Sequence, residues 1–439
     1  MLPDNVLLEI FDLYQKFYGN LTWNALKWCL LVHVCQRWRQ IVFASPHRLN
    51  LRILCTRSTS VRKLLYIWPP LPICLSYMSK SRSNADDAIA ALEHGDRVSY
   101  VELNVTGPLL EKLEEVMQVP FPVLTQLYIK ISQGVVNALP REFLGGSAPS
   151  LHTIDLYGVS YPSLPRLLLS ANDLVHLRLH KIPPSGYISP EAIVIGLAAL
   201  PRLKTLLMEF QSASSRPDRI LPPPTTRTVL PSLTLLEFKG ASEYLEGLVT
   251  QIDTPQLKRI DISYFNQLAD FQASHLHQFI DRSVALQATL FSHAKVTFRL
   301  HAVSFTLSPH SEHNEPVNIT IICEGIDWQV SHMSQLVNQF SVTLSNVVDL
   351  NFTNIKPKGR VVEVMDDVEW RDLLHPFSAA KTLHASKNLA EHVSLALEDI
   401  EGGIVLPSLD SIRLGGQPAS SSKKLLARRR LAAELPAHS

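Results

Sequence analysis

The stretch Leu-His-Thr-Ile-Asp-Leu at residues 151–156 carries the pattern that decides the fold. Its apolar residues are Leu151, Ile154 and Leu156, so two polar positions separate the first pair and one separates the second. The last two residues alternate, which places both side chains on one face of a short strand. The same phrase begins again at Val98, Leu124, Leu174, Leu203, Leu233, Leu257, Val347 and Leu409.

The spacing of these phrases is that of a structural repeat. The first seven begin 26, 27, 23, 29, 30 and 24 residues apart, which is close to the period of leucine-rich repeats. A single repeat cannot bury its own apolar face, so neighbouring repeats stack. We therefore predict an α/β fold in which residues 98–416 form an irregular leucine-rich-repeat-like solenoid with a parallel sheet. Helical return segments are expected at Glu191–Leu200, Glu243–Ile252 and Leu276–Ser283.

Two features make the array irregular. Regular repeats carry Asn at the ninth position, whereas here the slot holds Thr106, Ser132, Val159, Ile182, Gln211, Ala241 and Phe265. Between Leu257 and Val347 the phrase survives only as hints, at Phe298-Leu300 and Ile319-Ile321. A plain mixed α/β domain whose strands match the phrase by coincidence is the alternative.

The amino-terminal residues have a different, helical periodicity. After Pro3, apolar residues form two rows, which are Val6-Ile10-Leu13-Phe17 and Leu7-Phe11-Tyr14-Tyr18. A surface helix needs only one apolar stripe, so two rows predict burial on two sides, against this chain and against a partner. A second helix is predicted from about Trp28 to Ala44, where Ser45-Pro46 ends it.

The amino-acid sequence of these helices resembles that of a known family. The runs L-P-D-N-V-L-L-E-I-F at residues 2–11 and L-V-H-V-C-Q-R-W-R at residues 31–39 resemble the F-box. The likeness is greatest to the expanded F-box families of mushroom-forming fungi, and there it extends along nearly the whole chain. F-boxes are helical hairpins that dock on the Skp adaptor of cullin-RING ubiquitin ligases.

The resemblance implies that residues 1–55 are an F-box-like helical module and that residues 56–97 connect it to the repeats. Its implied partners are the Skp adaptor and, through it, a cullin. Leu7, Ile10 and Trp38 are expected to be the main anchors. The residues implied to contact the adaptor are Leu2, Pro3, Leu7, Ile10, Phe11, Leu31, Val34, Cys35 and Trp38.

Three classes of function follow. The resemblance implies a substrate-recognition adaptor of an SCF-type ligase, whose repeats hold an unidentified target protein. Alternatively, the repeats form a binding scaffold outside any ligase, and the amino-terminal helices cap the array. An enzyme is the third class, in the form of a hydrolase whose site would lie between Ser263 and Asn346. No Gly-rich phosphate loop, G-x-S-x-G elbow or H-E-x-x-H helix supports an enzyme, so we expect no catalytic residue and no cofactor.

No metal site is expected either. The segment His310–Glu315 comes closest to a metal-binding cluster, but Pro309 and Pro316 bracket it and favour a solvated turn. Ser212–Thr228 is rich in Pro, Ser and Thr and is predicted to be an exposed loop. The basic tail at residues 417–439 is interpreted as a terminal amphipathic cap, with a nuclear-import signal or a contact with an acidic partner as the alternatives.

Composition limits the partners and the compartment. Lys and Arg total 41 against 40 Asp and Glu, a net charge of +1, which gives no general attraction to nucleic acid or to an anionic membrane. The five cysteines are odd in number and never form a C-x-x-C pair, so a reducing compartment is expected. The amino terminus has no secretory signal pattern. We therefore predict a cytoplasmic or nuclear protein.

Overall fold

The two units

A computed structural model describes the chain at residues 2–16, 28–46, 48–56, 60–78, 85–134, 138–212, 226–265, 273–289, 291–309, 316–323, 325–355, 367–398, 405–416 and 424–427. The chain divides into two compact units. The first is Met1–Ile188 with Ala192–Leu203, and the second is Ser189–Glu191 with Lys204–Ser439. Both units have a mixed α/β fold in which parallel strand pairs predominate.

Strands and helices alternate along the first unit. After a helical stretch at residues 28–32, which lies between α1 and α2, the order is strand then helix in nearly every repeat. Its elements are α1 (Asp4–Lys16), α2 (Gln36–Ala44), β1 (Ile53–Thr56), α3 (Val61–Ile67), β2 (Ile73–Met78), α4 (Asp86–Leu92), β3 (Val98–Thr106), α5 (Gly107–Val116), β4 (Gln126–Gln133), β5 (Thr153–Tyr157), α6 (Leu164–Leu168), β6 (His176–Ile182), most of α7 (Pro190–Leu197), and short 3-10 helices at Phe143–Gly146 and Pro184–Gly186.

The second unit has the same alternation with one interruption. Its elements are β7 (Thr205–Phe210), β8 (Thr228–Val229), β9 (Leu235–Gly240), α8 (Ser242–Val249), β10 (Ile252–Asp253), β11 (Arg259–Tyr264), α9 (Ser274–Arg282), α10 (Val284–Gln287), β12 (His293–Phe298), β13 (Val303–Ser308), β14 (Val317–Ile321), α11 (Ile326–Gln339), α12 (Ser341–Leu344), β15 (Asp349–Asn354), α13 (Asp367–Leu374), β16 (Thr382–Ala385), α14 (Ala390–Glu398) and β17 (Ser411–Leu414).

The repeat phrase in three dimensions

The repeat phrase forms strands β3 to β6 of the first unit as predicted. Strands β1 and β2 lie before the first phrase, where the sequence predicted only the end of the helical module and a connecting segment. Strands β1 to β6 pair in sequence order, and each pair is parallel. Leu127, Ile154 and Leu177, which occupy the second apolar position of their phrases, are cross-strand partners and are buried. Because period-2 alternation keeps these side chains on one face, each repeat adds one layer to a continuous apolar core.

The second unit departs from the expected all-parallel sheet between Leu257 and Val347. Strands β12 and β13 pair antiparallel, as do β13 and β14, whereas β14 pairs parallel with β11 and β12 pairs parallel with β15. The predicted parallel pairing therefore predominates in the sheet but is interrupted here by two antiparallel pairs. A three-stranded antiparallel insertion needs no strand-then-helix phrase, because antiparallel neighbours are joined by short turns, and this explains why the phrase is blurred.

The predicted return segments are confirmed as helices, with bounds shifted by a few residues. They correspond to α7, α8 and α9. Three other sequence predictions fall wholly or mostly outside the described residues, namely the His310–Glu315 turn, most of the Ser212–Thr228 loop and most of the basic tail. Of the tail, residues 424–427 are helical and Leu425 is buried.

A carboxylate that joins two repeats

Glu246 of α8 satisfies the first turn of the next helix, α9. The first N–H groups of a helix have no partner within it, and Ala273 at the N-cap of α9 offers no side-chain acceptor. Glu246 Oε2 accepts from the backbone N–H of His275 at 2.7 Å, and Oε1 accepts from that of Leu276 at 3.0 Å. His275 Nδ1 lies 2.9 Å from Oε2. Glu246 therefore links consecutive repeats through one buried side chain.

Burial is the main influence on the pKa of the Glu246 carboxylate. Loss of solvent raises the pKa of Glu246 above its ordinary value, while the hydrogen bonds from His275 and Leu276 and the charge of His275 oppose that shift. The net rise means that desolvation outweighs the hydrogen bonds. Ionised Glu246 is thus stabilised only in part by its partners.

Candidate docking surface on the amino-terminal helices

Two rows on the first helix

The two apolar rows of α1 differ in exposure over the first part of the helix. Leu7 and Phe11 of one row are buried, and Phe11 is 0% exposed, whereas Tyr14 further along that row is 38% exposed. Val6, Ile10 and Leu13 of the other row are 38%, 44% and 65% exposed. We call Val6, Ile10 and Leu13 the exposed row. The sequence predicted burial of both rows, one of them by a partner, and the structure leaves one row uncovered by the described residues of this chain.

The buried row packs on the second helix. The rings of Phe11 and Trp38 have centroids 4.8 Å apart. Arg37 of α2 donates to the carbonyl oxygen of Leu2 at 2.6 Å and to Asp4 Oδ1 at 2.5 Å, and Arg48 forms an ion pair with Glu9. Exposed ion pairs contribute little to stability, so the Phe11–Trp38 contact is the main packing observed between α1 and α2.

A break capped by Cys35

The predicted single helix from Trp28 to Ala44 is interrupted. Residues 28–32 are helical, a turn follows, and α2 begins anew at Gln36. Cys35 is the N-cap of α2, with its Sγ atom accepting from the backbone N–H of Trp38 at 3.4 Å. Arg39 Nε donates to the Val32 carbonyl oxygen at 3.0 Å, which satisfies one acceptor at the break. The prediction of one continuous helix was wrong because the spacing of apolar residues does not show where a helix ends and a new one begins.

Replacing Cys35 with Ser is expected to stabilise the protein by about 0.5–1 kcal/mol, because a hydroxyl is a better N-cap acceptor than a thiol sulfur. Cys35 is exposed, so the hydroxyl loses little hydration. The measurement is the free energy of unfolding in urea. Cys35→Ala is the control and should lower stability, since it removes the acceptor. An unchanged or lower value for the Ser variant would contradict the capping role.

The inner side of the hairpin

An aromatic cluster joins the amino-terminal helices to Trp68, which directly follows α3. Trp28 lies with its ring centroid 5.0 Å from that of Trp68 and 5.9 Å from that of Phe43. Its indole Nε1 donates to the carbonyl oxygen of Arg52 at 2.8 Å. A buried indole normally finds such a partner. Trp28 therefore connects the hairpin to the segments before β1 and after α3.

Replacing Trp28 with Phe is expected to destabilise the chain by about 1–2 kcal/mol, because the Arg52 carbonyl oxygen loses its donor in a buried setting. The measurement is urea unfolding followed by circular dichroism. Trp328→Phe is the matched control, since Trp328 is exposed, and it should change stability by less than about 0.5 kcal/mol. Equal effects of the two substitutions would contradict this account.

Where the predicted contact residues lie

The residues predicted to contact the Skp adaptor divide into two groups. Leu7, Phe11 and Leu31 are buried in the chain itself, so they stabilise the hairpin and are not available at its surface. Trp38 is half-buried against Phe11. The remaining predicted residues are exposed, and these are Leu2, Pro3, Ile10, Val34 and Cys35.

The structure adds Val6 and Leu13 to the accessible apolar side chains. The predicted contact set omitted them, although their spacing with Ile10 already marked them as one row. Which of two equivalent rows faces outward depends on tertiary packing. The spacing of apolar residues along one helix does not show which row packs against the rest of the chain.

Chemistry and comparisons

Two buried cysteine thiols are expected to be unreactive. Burial raises the pKa of Cys55 and of Cys323 to about 12, so both stay protonated at neutral pH, and the thiolate is the reactive form. Within the described ranges, no three His, Cys, Asp or Glu side chains are grouped to hold a metal ion. None of the helices in those ranges is both long and apolar enough to cross a bilayer.

Comparison with known proteins assigns no family. No protein-family model matches the chain, and no curated protein matches it. Among solved structures, the chain is similar to the leucine-rich repeat-containing protein LegL7 from Legionella pneumophila. The two share 15% sequence identity with a TM-score of 0.29, over 77% of this chain and 98% of that chain.

Proposed function

We propose that this chain is a substrate-recognition adaptor of an SCF-type cullin-RING ubiquitin ligase. Its amino-terminal helices would dock on the Skp adaptor, and its repeats would present a target protein. The exposed row of α1 is the observation that carries the proposal. The F-box resemblance of residues 2–11 and 31–39 supports the choice of partner.

Covering the exposed row with a partner would be energetically favourable. Burying apolar surface contributes about 25 cal/mol per Å², and three aliphatic side chains aligned on one helix give a partner a continuous strip to cover. Interfaces concentrate their energy in a few such anchors. Ile10 and Leu13 are the main anchors in this proposal, with Val34 adding apolar surface from the turn before α2.

The proposed target-binding side is the polar face of the parallel sheet in the first unit. Strand positions between the buried ones carry half-exposed side chains such as Tyr100, Glu102, Tyr128 and Arg178. Tyr100 and Tyr128 lie on adjacent strands with ring centroids 5.7 Å apart. Aromatic and Arg side chains are enriched at protein interfaces, so this face suits a protein target.

Co-purification tests the docking half of the proposal. The full chain is co-expressed with a fungal Skp adaptor and passed over a size-exclusion column. We expect one complex with one copy of each protein, which then recruits a cullin. Separate elution of the two proteins at micromolar concentration would refute docking.

The capping function is a second candidate, because the Trp28 cluster favours it. Contacts among Trp28, Phe43 and Trp68 attach the hairpin to the end of α3, next to the start of the parallel sheet, as a cap would be attached. Capping uses the inner side of the hairpin, whereas docking uses the exposed row. Substitutions in the exposed row therefore separate the two functions, since only docking depends on it.

A further inference from the structure

A half-exposed carboxylate, Glu102 of β3, lies on the strand face of the first unit. Its Oε2 atom accepts from the Ser76 hydroxyl at 2.8 Å and from the Tyr100 hydroxyl at 3.3 Å. Among the described residues, these two hydroxyls are its hydrogen-bond donors, and no Lys, Arg or His forms an ion pair with it. The negative charge of Glu102 is therefore hydrogen-bonded within the chain but not neutralised.

Two tyrosine rings adjoin this carboxylate. Tyr100 precedes Glu102 by two residues on β3, so both side chains project from one face of the sheet. Tyr128 of β4 is the cross-strand partner of Glu102 and belongs to the same face. The centroids of the two rings are 5.7 Å apart, and their planes are inclined by 41°. We call Ser76, Tyr100, Glu102 and Tyr128 the Glu102 site.

The phenols of the Glu102 site are neutral at physiological pH. Burial raises the pKa of Tyr100, and the charge of Glu102 adds to the rise. Burial also raises the pKa of Tyr128, with Asp155 and Glu102 among the groups that contribute. Both rings are therefore close enough to Glu102 to be affected by its charge. The net charge of the site is the single negative charge of that carboxylate.

Cations on the same strand face are placed at other groups. The Nζ atom of Lys130 lies 4.9 Å from the ring centroid of Tyr157. Arg178 lies 4.0 Å from Asp155, so the carboxylate of β5 has a cationic partner within the chain. Glu102 has no such partner among the described residues. It is the carboxylate of this face that a cation from another protein can neutralise.

We propose that the Glu102 site binds an arginine side chain of the target protein. This inference rests on the proposed role of the strand face as the target-binding surface. A guanidinium group is planar and carries several N–H donors, so it can donate to a carboxylate and stack on an aromatic ring at once. Contact of a cation with a tyrosine face adds a favourable electrostatic term. A carboxylate next to two rings supplies both kinds of contact.

The two hydroxyls act as positioning groups for the carboxylate. Both donate to Oε2, which leaves Oε1 as the acceptor for the guanidinium. A side chain that is ordered before binding loses less conformational freedom when the complex forms. Ser76 and Tyr100 therefore reduce the cost of binding without contacting the ligand through their hydroxyls. An ammonium group of Lys would match the charge of the site but not the planar stacking.

Saturation-transfer NMR with the full-length chain tests the proposal. The probe is the peptide Gly-Ser-Arg-Ser-Gly, blocked at both ends. Two counterparts carry Lys, or citrulline, which keeps the shape of Arg without its charge. We expect saturable binding of the Arg peptide with a dissociation constant on the order of 1 mM, as one side-chain contact gives. The Lys peptide should bind about threefold more weakly or less, and the citrulline peptide should not bind.

Replacing Glu102 with Gln tests the charge. The amide keeps the size of the side chain and an acceptor for Ser76 and Tyr100, so the melting temperature should change little. Binding of the Arg peptide should weaken about tenfold or more, because a charge-assisted contact is lost. Glu115→Gln is the matched control, an exposed glutamate on α5 of the same unit. It should change the affinity by less than about twofold.

Two variants of Tyr128 test the ring. Tyr128→Phe keeps an aromatic face and should bind the Arg peptide within about twofold of the natural chain. Tyr128→Leu keeps the charge of Glu102 but offers no aromatic face, and it should bind about threefold more weakly. Equal affinities of the Phe and Leu variants would overturn the stacking role of Tyr128.

Other results would overturn the inference as a whole. These are no saturable binding of the Arg peptide, equal affinities for the Arg and citrulline peptides, equal affinities for the Arg and Lys peptides, and equal weakening by Glu115→Gln. Co-purification with the Skp adaptor should be unchanged in Glu102→Gln. A chain that binds the Arg peptide but not the adaptor would support the Glu102 site and refute ligase membership. A chain that binds the adaptor but not the peptide would do the reverse, so the two failures are distinguishable.

Discussion

Replacing Ile10 and Leu13 together with Asp is expected to abolish co-purification with the Skp adaptor. In the proposed complex both side chains leave water for an apolar contact. Each is worth about 1.5–3 kcal/mol when fully buried, and a carboxylate in its place adds a desolvation cost. A loss of at least about 2.7 kcal/mol corresponds to a fall in affinity of about 100-fold or more. The measurement is the dissociation constant by isothermal titration calorimetry.

The folded chain should tolerate this double substitution. Both side chains are exposed, so the melting temperature should change little. The matched control is Leu169→Asp with Ile195→Asp, two exposed aliphatic residues elsewhere in the first unit, which should bind the adaptor normally. Retained binding by the Ile10 and Leu13 variant would refute docking through the exposed row and leave the capping function.

Trp38 is a less informative site for the same test. It is half-buried and its ring contacts Phe11, so Trp38→Ala removes packing between α1 and α2 as well as any contact with a partner. A loss of adaptor binding would then have two explanations. The resemblance to the F-box implied Trp38 as a main anchor. Ile10 and Leu13 test docking more directly, because both are exposed and their substitution removes little packing within the chain.

The repeat strands could be predicted from the sequence because one local pattern determines them. Leu127, Ile154 and Leu177 recur at matching positions, and stacking follows from their shared face. The antiparallel insertion of β12 to β14 could not be predicted this way. Its strands do not carry the repeat phrase. The apolar pattern of a short strand also does not show whether the strand pairs parallel or antiparallel with its neighbour.

The candidate site was partly predictable for a related reason. Helical spacing identified two apolar rows on α1, but choosing Leu7 and Phe11 as the buried row requires knowing where Trp38 lies. The contact of Lys130 and Lys181 with the ring of Tyr157 had no local signal, because the three residues come from three different repeats.

Replacing Glu246 with Ala is expected to lower the free energy of unfolding by about 2–4 kcal/mol. The backbone N–H groups of His275 and Leu276 lose a charged acceptor in a buried place, and each such bond is worth about 1.5–3 kcal/mol. Relief of the desolvation that raises the pKa of Glu246 offsets part of this loss. Urea unfolding measures the change. Glu398→Ala is the control, since Glu398 is exposed at the end of α14.

The pH dependence of the same variant provides a second and independent check. Because the folded chain holds a proton on Glu246 more tightly than the unfolded chain does, stability falls as pH rises from the ordinary value of 4.5 through the raised pKa. Glu246→Ala lacks that fall. The stability difference between the natural chain and the variant should therefore be larger in acid than at neutral pH. A difference that grows toward neutral pH would mean that the hydrogen bonds from His275 and Leu276 outweigh desolvation, and the raised pKa would be wrong.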